Sequence, residues 1–346
     1  MTTETAQYPA LKLDWLEPGT ESGLSVTPSR RGLSLEDVDK GGYGNPPEHT
    51  TNLSTMRQRG SAARGNTPRV GRRWDAKAEL WSASAAMLYE EAQARQWSSA
   101  LDIPWHTLTA LPDDLELAMC QLCTFLTQVE FIAADLPARF MPFISPDFYE
   151  VQLFLGSQAM DESRHEDVFR KRALANGGGL MRPGRGASAL LSLQDFTEMT
   201  ALIHLVGEGF VQTMFRMGEL VGQNEAEKRI FRLCAQDESR HVAFGVTHLK
   251  YTLETEPERR EELHAYLDRF EPALAISQGG ITIEGDVSES MAVLLGGGTA
   301  HFDEGRQKLL AIRKKQVNEY MHRLEVVGLS ERRERMHESL RQYLTV

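Results

Sequence analysis

Apolar residues recur at spacings of three and four positions from about residue 74 onward, and glycine- and proline-rich turns separate these stretches. This spacing is the period of an amphipathic α-helix. The pattern predicts helices over about 75–97, 113–136, 148–176, 196–222, 225–253, 258–270, 305–327 and 330–344. No stretch of alternating polar and apolar residues is long enough to build a sheet. We therefore predict an all-α fold.

The first 70 residues differ from the rest, since they are rich in Gly, Ser, Thr, Pro and Arg and show no sustained periodicity. Such a composition favours a segment without a core of its own. We predict that residues 1–70 form a flexible arm, draped loosely over a helical domain of residues 71–346. A lid or a partner-binding segment is the alternative for this arm.

Two glutamates stand isolated in apolar helices. Glu130 lies between Val129 and Phe131 in a helix that is apolar almost all round, and Glu208 lies between two glycines. A buried carboxylate without a partner costs several kcal/mol or takes up a proton. Both side chains therefore need a cation or a special partner.

The pentapeptide Asp-Glu-Ser-Arg-His occurs twice, at 161–165 and at 237–241. In each copy the Glu and the His are three positions apart, so on a helix they face the same way, one turn apart. Each copy therefore offers one oxygen and one nitrogen ligand to a metal ion. Surface residues or buried salt bridges could explain one copy, but not two copies together with the isolated glutamates.

The isolated glutamates precede the Glu-x-x-His pairs by matched intervals. Glu130 comes roughly thirty residues before Glu162, and Glu208 roughly thirty before Glu238, which is what one antiparallel helical hairpin needs. Two such hairpins would bring four Glu and two His to the middle of a four-helix bundle within residues 115–250. This is the ligand set of di-iron and di-manganese carboxylate proteins, because four carboxylates can neutralise and bridge two divalent cations.

The remaining charged residues of the pentapeptide are predicted to support the ligands. Asp161 and Asp237 lie four positions before the histidines of their own helices. An acid so placed commonly accepts the second imidazole N–H and fixes the tautomer. Arg164 and Arg240 can pair with these acids. We assign these four residues to support of the ligands and not to metal binding.

These residues resemble the ferritin-like superfamily, in its branch of ribonucleotide-reductase small subunits and di-iron oxygenases. The paired Asp-Glu-x-Arg-His is especially similar to the hydroxylases of bacterial multicomponent monooxygenases, over about residues 115–250. The resemblance implies a ferritin-like four-helix bundle with additional N- and C-terminal helices. It implies two iron ions as cofactor, with a manganese–iron pair as the alternative. It implies the following ligands, with Glu162 and Glu238 as the bridging candidates: Glu130, Glu162, His165, Glu208, Glu238 and His241.

A few positions bear on which activity of this superfamily the chain has. Ribonucleotide-reductase small subunits usually carry a radical Tyr where this chain has Phe169, and hydroxylases often carry a Thr where it has Gln212. Arylamine N-oxygenases, which the chain also resembles, use an additional His ligand. The candidate here is His204, although those enzymes place the extra His where this chain has Cys234. A hydrogen-bonded core histidine is the alternative for His204.

Some residues are candidates to line a substrate pocket. Cys123 stands two turns before Glu130 on the same face, and Thr127 and Ala134 lie within one turn of it. Gln212 is a further candidate. The remaining wall should be apolar, because oxidative chemistry at a metal pair needs a dry cavity.

The expected function is that of a non-haem di-iron oxygenase, which activates O₂ to hydroxylate or N-oxygenate a small organic substrate, in a biosynthetic role. No residue beyond the metal ligands is assigned a catalytic role. No flavin, NAD or iron–sulfur motif is evident, so we expect a separate reductase or ferredoxin to supply electrons. The alternative is a radical-generating or metal-handling ferritin-like subunit without its own small-molecule substrate.

The bulk composition disfavours several other classes. A net charge of −11 disfavours nucleic acid or an anionic membrane surface as a partner. The first residues lack the basic flank and apolar core of a signal peptide, and no run approaches the roughly 18 apolar residues of a membrane span. Three cysteines do not suggest a disulfide framework. We expect a cytoplasmic protein, either single or paired as a homodimer.

Overall fold

The structure is a computed structural model that describes residues 26–30, 32–41, 44–50, 59, 74–176, 178–181, 188–279 and 287–345. Most of the predicted arm at 1–70 lies outside these ranges. Where the arm is described, it contacts the helical body: the backbone N–H of Leu35 donates to Oε1 of Glu90 at 2.6 Å, and Arg59 pairs with Glu150. The division into a flexible arm and a domain stays a prediction.

The all-α prediction is confirmed, since the described residues contain helices and only isolated β-bridges. A π-helical segment, Ala201–Gly207, joins α5 to α6. The α-helices are α1 (Leu35–Val38), α2 (Ala85–Ala94), α3 (Asp113–Phe140), α4 (Tyr149–Ala175), α5 (Phe196–Thr200), α6 (Glu208–Arg216), α7 (Gly218–Val221), α8 (Glu225–Thr255), α9 (Arg260–Gly279), α10 (Val287–Gly296), α11 (Phe302–Val327), α12 (Arg332–Arg335) and α13 (Glu338–Arg341).

Four helical stretches form the central bundle. Helices α3 and α4 make one hairpin, and α8 makes the second with the continuous stretch of α5, the π-helical segment and α6. Helix α4 packs on α8 and so joins the two hairpins. Outside the bundle, α2 packs on α4 and α8, while α10 packs on α3 and α11 packs on α6 and α8. The predicted ferritin-like bundle with additional N- and C-terminal helices is therefore confirmed.

Capping side chains fix where the two helical stretches of the second hairpin begin. The side chain of Asp195 accepts a hydrogen bond from the backbone N–H of Glu198, and that of Asn224 accepts one from Glu227. Each cap satisfies a donor at the first turn that would otherwise lack a partner inside the helix. Helix α5 and helix α8 thus begin where the sequence pattern indicates.

Two predicted helix boundaries are wrong. Helix α3 was expected to end before Pro137 but continues to Phe140, because a proline in the last turn removes only one hydrogen bond of the helix. The first predicted helix is broken, and its regular part begins only at Ala85. Before that point the Ser82 hydroxyl bonds Oγ1 of Thr247 in α8 at 2.5 Å, which fastens this segment to the bundle.

The glycine-rich connection expected between residues 279 and 298 contains a helix, α10. Gly297 and Gly298 adopt φ angles of 82° and 128°, which turn the chain back toward α11. The two helices approach closely at Gly305, where a Cβ atom would lie 1.8 Å from the carbonyl oxygen of Ala292. Only glycine fits there, so the glycines that suggested a loop are what allow a tight helical hairpin.

Among the described residues, one helical segment, Asp113–Phe143, is long and apolar enough to cross a membrane. In the most apolar part of this segment, 56% is buried inside the protein. Glu130 lies in this helix and is 2% exposed. A helix buried by its neighbours and carrying an internal carboxylate fits the core of a bundle.

Candidate metal site

The bundle brings the six predicted ligands together at its centre. One group contains Glu130, Glu162, His165 and Glu238, and the second contains Glu162, Glu208, Glu238 and His241. Within each group, one ligand atom from every residue lies within 4.8 Å of the others. Glu162 and Glu238 belong to both groups, which is the arrangement expected of bridging carboxylates. The two isolated glutamates each serve a single group.

Many oxygen and nitrogen atoms of this cluster lack a hydrogen-bond partner although they are buried. Nδ1 of His241 lies 2.9 Å from Oε1 of Glu162, but the contact between them does not have the geometry of a hydrogen bond. Such orphaned polar atoms are rare in protein cores, because each costs its full desolvation. The donor set and the orphaned atoms therefore fit a pair of metal ions. The orphaned atoms are Oε1 of Glu130, Oε1 of Glu162, Oε2 of Glu208, both carboxylate oxygens of Glu238 and Nδ1 of His241.

Without metal, the cluster holds protons that a metal pair would replace. Burial, reinforced by Glu162 and Glu238, raises the pKa of Glu130 well above its ordinary value, and Glu208 behaves in the same way. Burial disfavours charged imidazoles, but the surrounding acidic groups outweigh it and raise the pKa of both His165 and His241. Metal binding must displace such protons.

The metal-free protein should therefore lose stability as pH rises from about 6 to 9. The glutamates and histidines whose pKa is raised in the folded protein keep protons that the unfolded chain releases above about pH 4.5 (Glu) and 6.5 (His). The stability that these protons contribute is lost as the pH rises through the folded-state pKa. For each such proton, the free energy of unfolding falls by about 1.4 kcal/mol for every unit that the pH rises in that range. Glu162 and Asp237 have lowered pKa values, and their contribution is constant over this window.

This pH dependence can be measured as the Tm of the protein in chelator and in excess Mn(II). We expect Tm to fall from pH 6 to 9 in chelator and to stay nearly level with metal, since metal-bound ligands are already deprotonated. A chelated protein whose Tm rises over this range would contradict the assignment of shared protons to the cluster.

The aspartates of the pentapeptides contact the histidines, but across the bundle. Nε2 of His165 lies 3.2 Å from Oδ2 of Asp237, and Nε2 of His241 lies 3.3 Å from Oδ2 of Asp161. The sequence interpretation paired each acid with the histidine of its own helix, and that pairing is wrong. The acid and the histidine are four positions apart on one helix, but α4 and α8 face each other, so the opposite imidazole is nearer. The support is thus reciprocal between the two halves.

The two arginines hold both aspartates at once. Nη2 of Arg240 donates to Oδ2 of Asp161 at 2.7 Å and to Oδ1 of Asp237 at 2.6 Å. Arg164 likewise pairs with Asp161 and lies 3.2 Å from Oδ2 of Asp237. Trp97, which the sequence interpretation missed, donates its indole N–H to Oδ2 of Asp237 at 2.7 Å. These contacts lock the two Glu-x-x-His helices together behind the ligands.

His204 lies outside both ligand groups. Its Nε2 is 3.0 Å from Oε1 of Gln158, and Nε2 of Gln158 donates to Oε1 of Glu208 at 2.8 Å. All three side chains are buried. His204 is therefore linked to a ligand through Gln158. The sequence did contain a signal for Gln158, since it stands four positions before Glu162 on the ligand face of α4.

The pocket candidates occupy different environments. Cys123 is buried in the core, and Oγ1 of Thr127 donates to its carbonyl oxygen at 2.8 Å. Ala134 is partly buried. Gln212 donates to Oγ of Ser239 at 2.9 Å on the partly exposed seam between α6 and α8, and no described hydrogen bond joins it to the ligands. A pocket role for these residues stays a prediction.

Fold and ligand geometry together define the class: a ferritin-like helical bundle with a buried carboxylate–histidine cluster able to hold two metal ions. The fold is the ferritin-like bundle that the sequence resemblance implies. No protein-family model and no curated protein matches the chain.

Solved structures that share the fold include R2-like ligand-binding oxidases. A mutant with an aerobically reconstituted Fe/Fe cofactor aligns with a TM-score of 0.53 at 17% identity, covering 71% of this chain and 94% of that chain. A mutant with an anaerobically reconstituted Mn/Fe cofactor aligns with a TM-score of 0.51 at 17% identity, covering 72% and 95%. At this identity the likeness shows the fold alone.

Proposed function

We propose that the protein is a non-haem di-iron oxygenase that uses O₂ to hydroxylate or N-oxygenate a small organic substrate. The observation that carries the proposal is the buried cluster of four carboxylates and two imidazoles whose metal-facing atoms lack partners. Iron is the favoured metal, with a manganese–iron pair as the alternative, because solved proteins of this fold are described with Fe/Fe and Mn/Fe cofactors.

Two iron ions held by these six ligands would supply the reductive activation of O₂. The chain itself supplies the ligand atoms and the charge balance, since four carboxylates match two divalent cations. Asp161 and Asp237 accept the outer N–H groups of the two histidines, so the opposite ring nitrogens face the cluster with their lone pairs. Arg164 and Arg240 pair with these acids and orient them.

An apolar core packs against one side of the ligands, since the ring centroids of Phe215 and His165 lie 6.4 Å apart. Leu126 of α3, Met214 and Phe215 of α6, Met291 of α10 and Ile312 of α11 are all buried in one hydrophobic cluster. The C-terminal hairpin contributes to this cluster by packing on both α3 and α6. Such a wall suits an apolar or aromatic small molecule and protects reactive species from solvent.

A radical-generating or metal-handling subunit without its own substrate is the second candidate. Phe169, which is fully buried, stands where a radical Tyr would be expected by resemblance, and this favours the oxygenase. An external reductase or ferredoxin, a cytoplasmic location and the option of a homodimer complete the proposal.

The decisive experiment loads the metal-free protein with two equivalents of Fe(II) under anaerobic conditions and then admits O₂ with a panel of arylamines and hydrocarbons. The oxygenase should consume O₂ in proportion to an oxygenated product that incorporates ¹⁸O from ¹⁸O₂, as measured by mass spectrometry. A Glu238→Ala protein is the matched control and should form no product. Slow uptake of many iron ions per chain, without product, would support the metal-handling alternative instead.

A further inference from the structure

The surroundings of Glu130 and Glu208 differ, although the two hairpins that supply these residues are related by a repeat in the sequence. Four positions before Glu162 the chain has Gln158, whereas four positions before Glu238 it has Cys234. Four positions before Glu208 it has His204, whereas the matching position before Glu130 is Leu126. Gln158 and His204 come from different hairpins, yet both are linked to Glu208, so the difference is concentrated on one side of the site.

Next to Glu208, the buried side chains of His204 and Gln158 form a directed chain of hydrogen bonds that ends on the Glu208 carboxyl group. As a metal ligand Glu208 is an ionised acceptor, so the Gln158 amide presents Nε2 to it and Oε1 to His204. A carbonyl oxygen only accepts, so His204 must carry its proton on Nε2. Burial keeps the pKa of His204 well below its ordinary value, which leaves the ring neutral. Nδ1 of His204 has no partner.

The backbone is shaped to put His204 in this place. His204 lies in the π-helical segment Ala201–Gly207, whose widened turn ends at Glu208 with a bond from its N–H to the carbonyl of Ile203. Helix α8 approaches this segment at Gly245, where a Cβ atom would lie 2.5 Å from Cβ of His204. The ring of Phe244 meets His204 edge-on at 5.4 Å between centroids. Interruptions of this kind in α-helices are frequent at functional sites.

Among the described residues, Glu130 has no such chain of hydrogen bonds. Oε2 of Glu130 lies 3.8 Å from Nδ1 of His165, and Oε1 of Glu130 has no partner. Leu126 offers no hydrogen bond, and the buried thiol of Cys234 lies beside His165. In the part of the chain that the structure describes, no amide holds an oxygen of Glu130, whereas one oxygen of Glu208 is engaged by Gln158.

We propose that Gln158 and His204 are a positioning pair. They hold Oε1 of Glu208 so that only its orphaned Oε2 is offered to a metal ion, and they make the two metal positions unequal in affinity. This inference rests on the dinuclear site of the proposed function. The metal affinity of the position that includes Glu208 and His241 therefore depends on Gln158. The metal affinity of the position that includes Glu130 and His165 does not.

The test uses the full chain, stripped of metal by chelator, with Mn(II) as the only metal. The electron paramagnetic resonance signal of free Mn(II) gives the number of ions bound and their dissociation constants. Two ions should bind the unmodified protein with distinguishable constants. Gln158→Met keeps the side-chain length without the hydrogen bonds, and it should weaken one of the two ions by about 10–100-fold and leave the other unchanged.

A matched set of histidine variants separates positioning from general packing. His204→Leu should weaken the same ion, and His204→Gln should restore its binding, because the new amide can still donate to Gln158. The double variant of Gln158→Met and His204→Leu should be no worse than Gln158→Met alone, since the two residues act as a unit. His248→Leu is the control, because His248 is equally buried near Phe244 but bonds Thr197 and the Trp81 carbonyl instead.

Several results would overturn the inference. Gln158→Met could bind both ions as the unmodified protein does, or lose both equally, or His248→Leu could reproduce the effect of His204→Leu. If Gln158→Met does not fold, the comparison of His204→Leu with His204→Gln decides the same question. An unmodified protein that binds fewer than two Mn(II) ions would overturn both this inference and the dinuclear site. Two bound ions without oxygenated product in the iron-loaded protein would overturn only the proposed function.

Discussion

A Glu238→Ala protein should bind neither metal ion tightly, because Glu238 belongs to both ligand groups. Loss of a residue that only supports a ligand already costs about 10–100-fold in metal affinity, so loss of a shared ligand should exceed 100-fold at both positions. Glu130→Ala removes a ligand from one group only and should leave one ion in place. Equilibrium dialysis against Mn(II), followed by elemental analysis, measures the number of ions retained per chain.

The stability of the metal-free variants provides an independent check. Both carboxylate oxygens of Glu238 are buried without a hydrogen-bond partner among the described residues, so Glu238→Ala should leave the free energy of unfolding of the chelated protein unchanged or raised. The control is Glu227→Ala, which removes an equally buried carboxylate that accepts a hydrogen bond from Nε of Arg172 at 2.6 Å. That control should lose about 3 kcal/mol and still bind two ions. Two tightly bound ions in Glu238→Ala would refute the ligand assignment.

The sequence predicted which six side chains meet at the centre of the bundle, because its signals are local and redundant. A Glu-x-x-His pair lies on one helical face whatever the rest of the fold does, and it occurs in two copies. Glu130 and Glu208 are conspicuous because isolated acids in apolar helices are costly. The intervals between these residues then required two hairpins, and hence a bundle. The groups at the centre of the bundle follow from these constraints alone.

The contacts that the sequence did not predict depend on how helices pack against each other. Asp161 could be assigned to a histidine, but only the facing of α4 and α8 decides that the partner is His241. Gln158 looks like any polar residue until the π-helical segment brings His204 against it. Helix α10 was missed because its flanking glycines are typical of loops, while their role here is a tight helical turn beside Gly305.

Arg240→Met should cause the largest loss of stability among substitutions that leave all six ligands in place. Arg240 is 2% exposed, and its Nη2 atom donates to both Asp161 and Asp237. Methionine has a similar length but no charge, so the substitution removes one of the cations that balance these two buried carboxylates. Breaking a buried ion pair on one side costs about 3–5 kcal/mol, because the remaining charge is uncompensated. Urea denaturation of the chelated protein measures this loss.

The same substitution should also weaken metal binding, because Asp161 and Asp237 orient the two ligand histidines. Arg232→Met is the matched control, since Arg232 pairs with Glu219 on the surface and should leave both stability and metal binding nearly unchanged. A double substitution of Asp161 and Asp237 to Asn in the Arg240→Met background should recover part of the lost stability, because it removes the uncompensated charges. No recovery would mean that Arg240 acts through packing, and that the crossed acids do not depend on its charge.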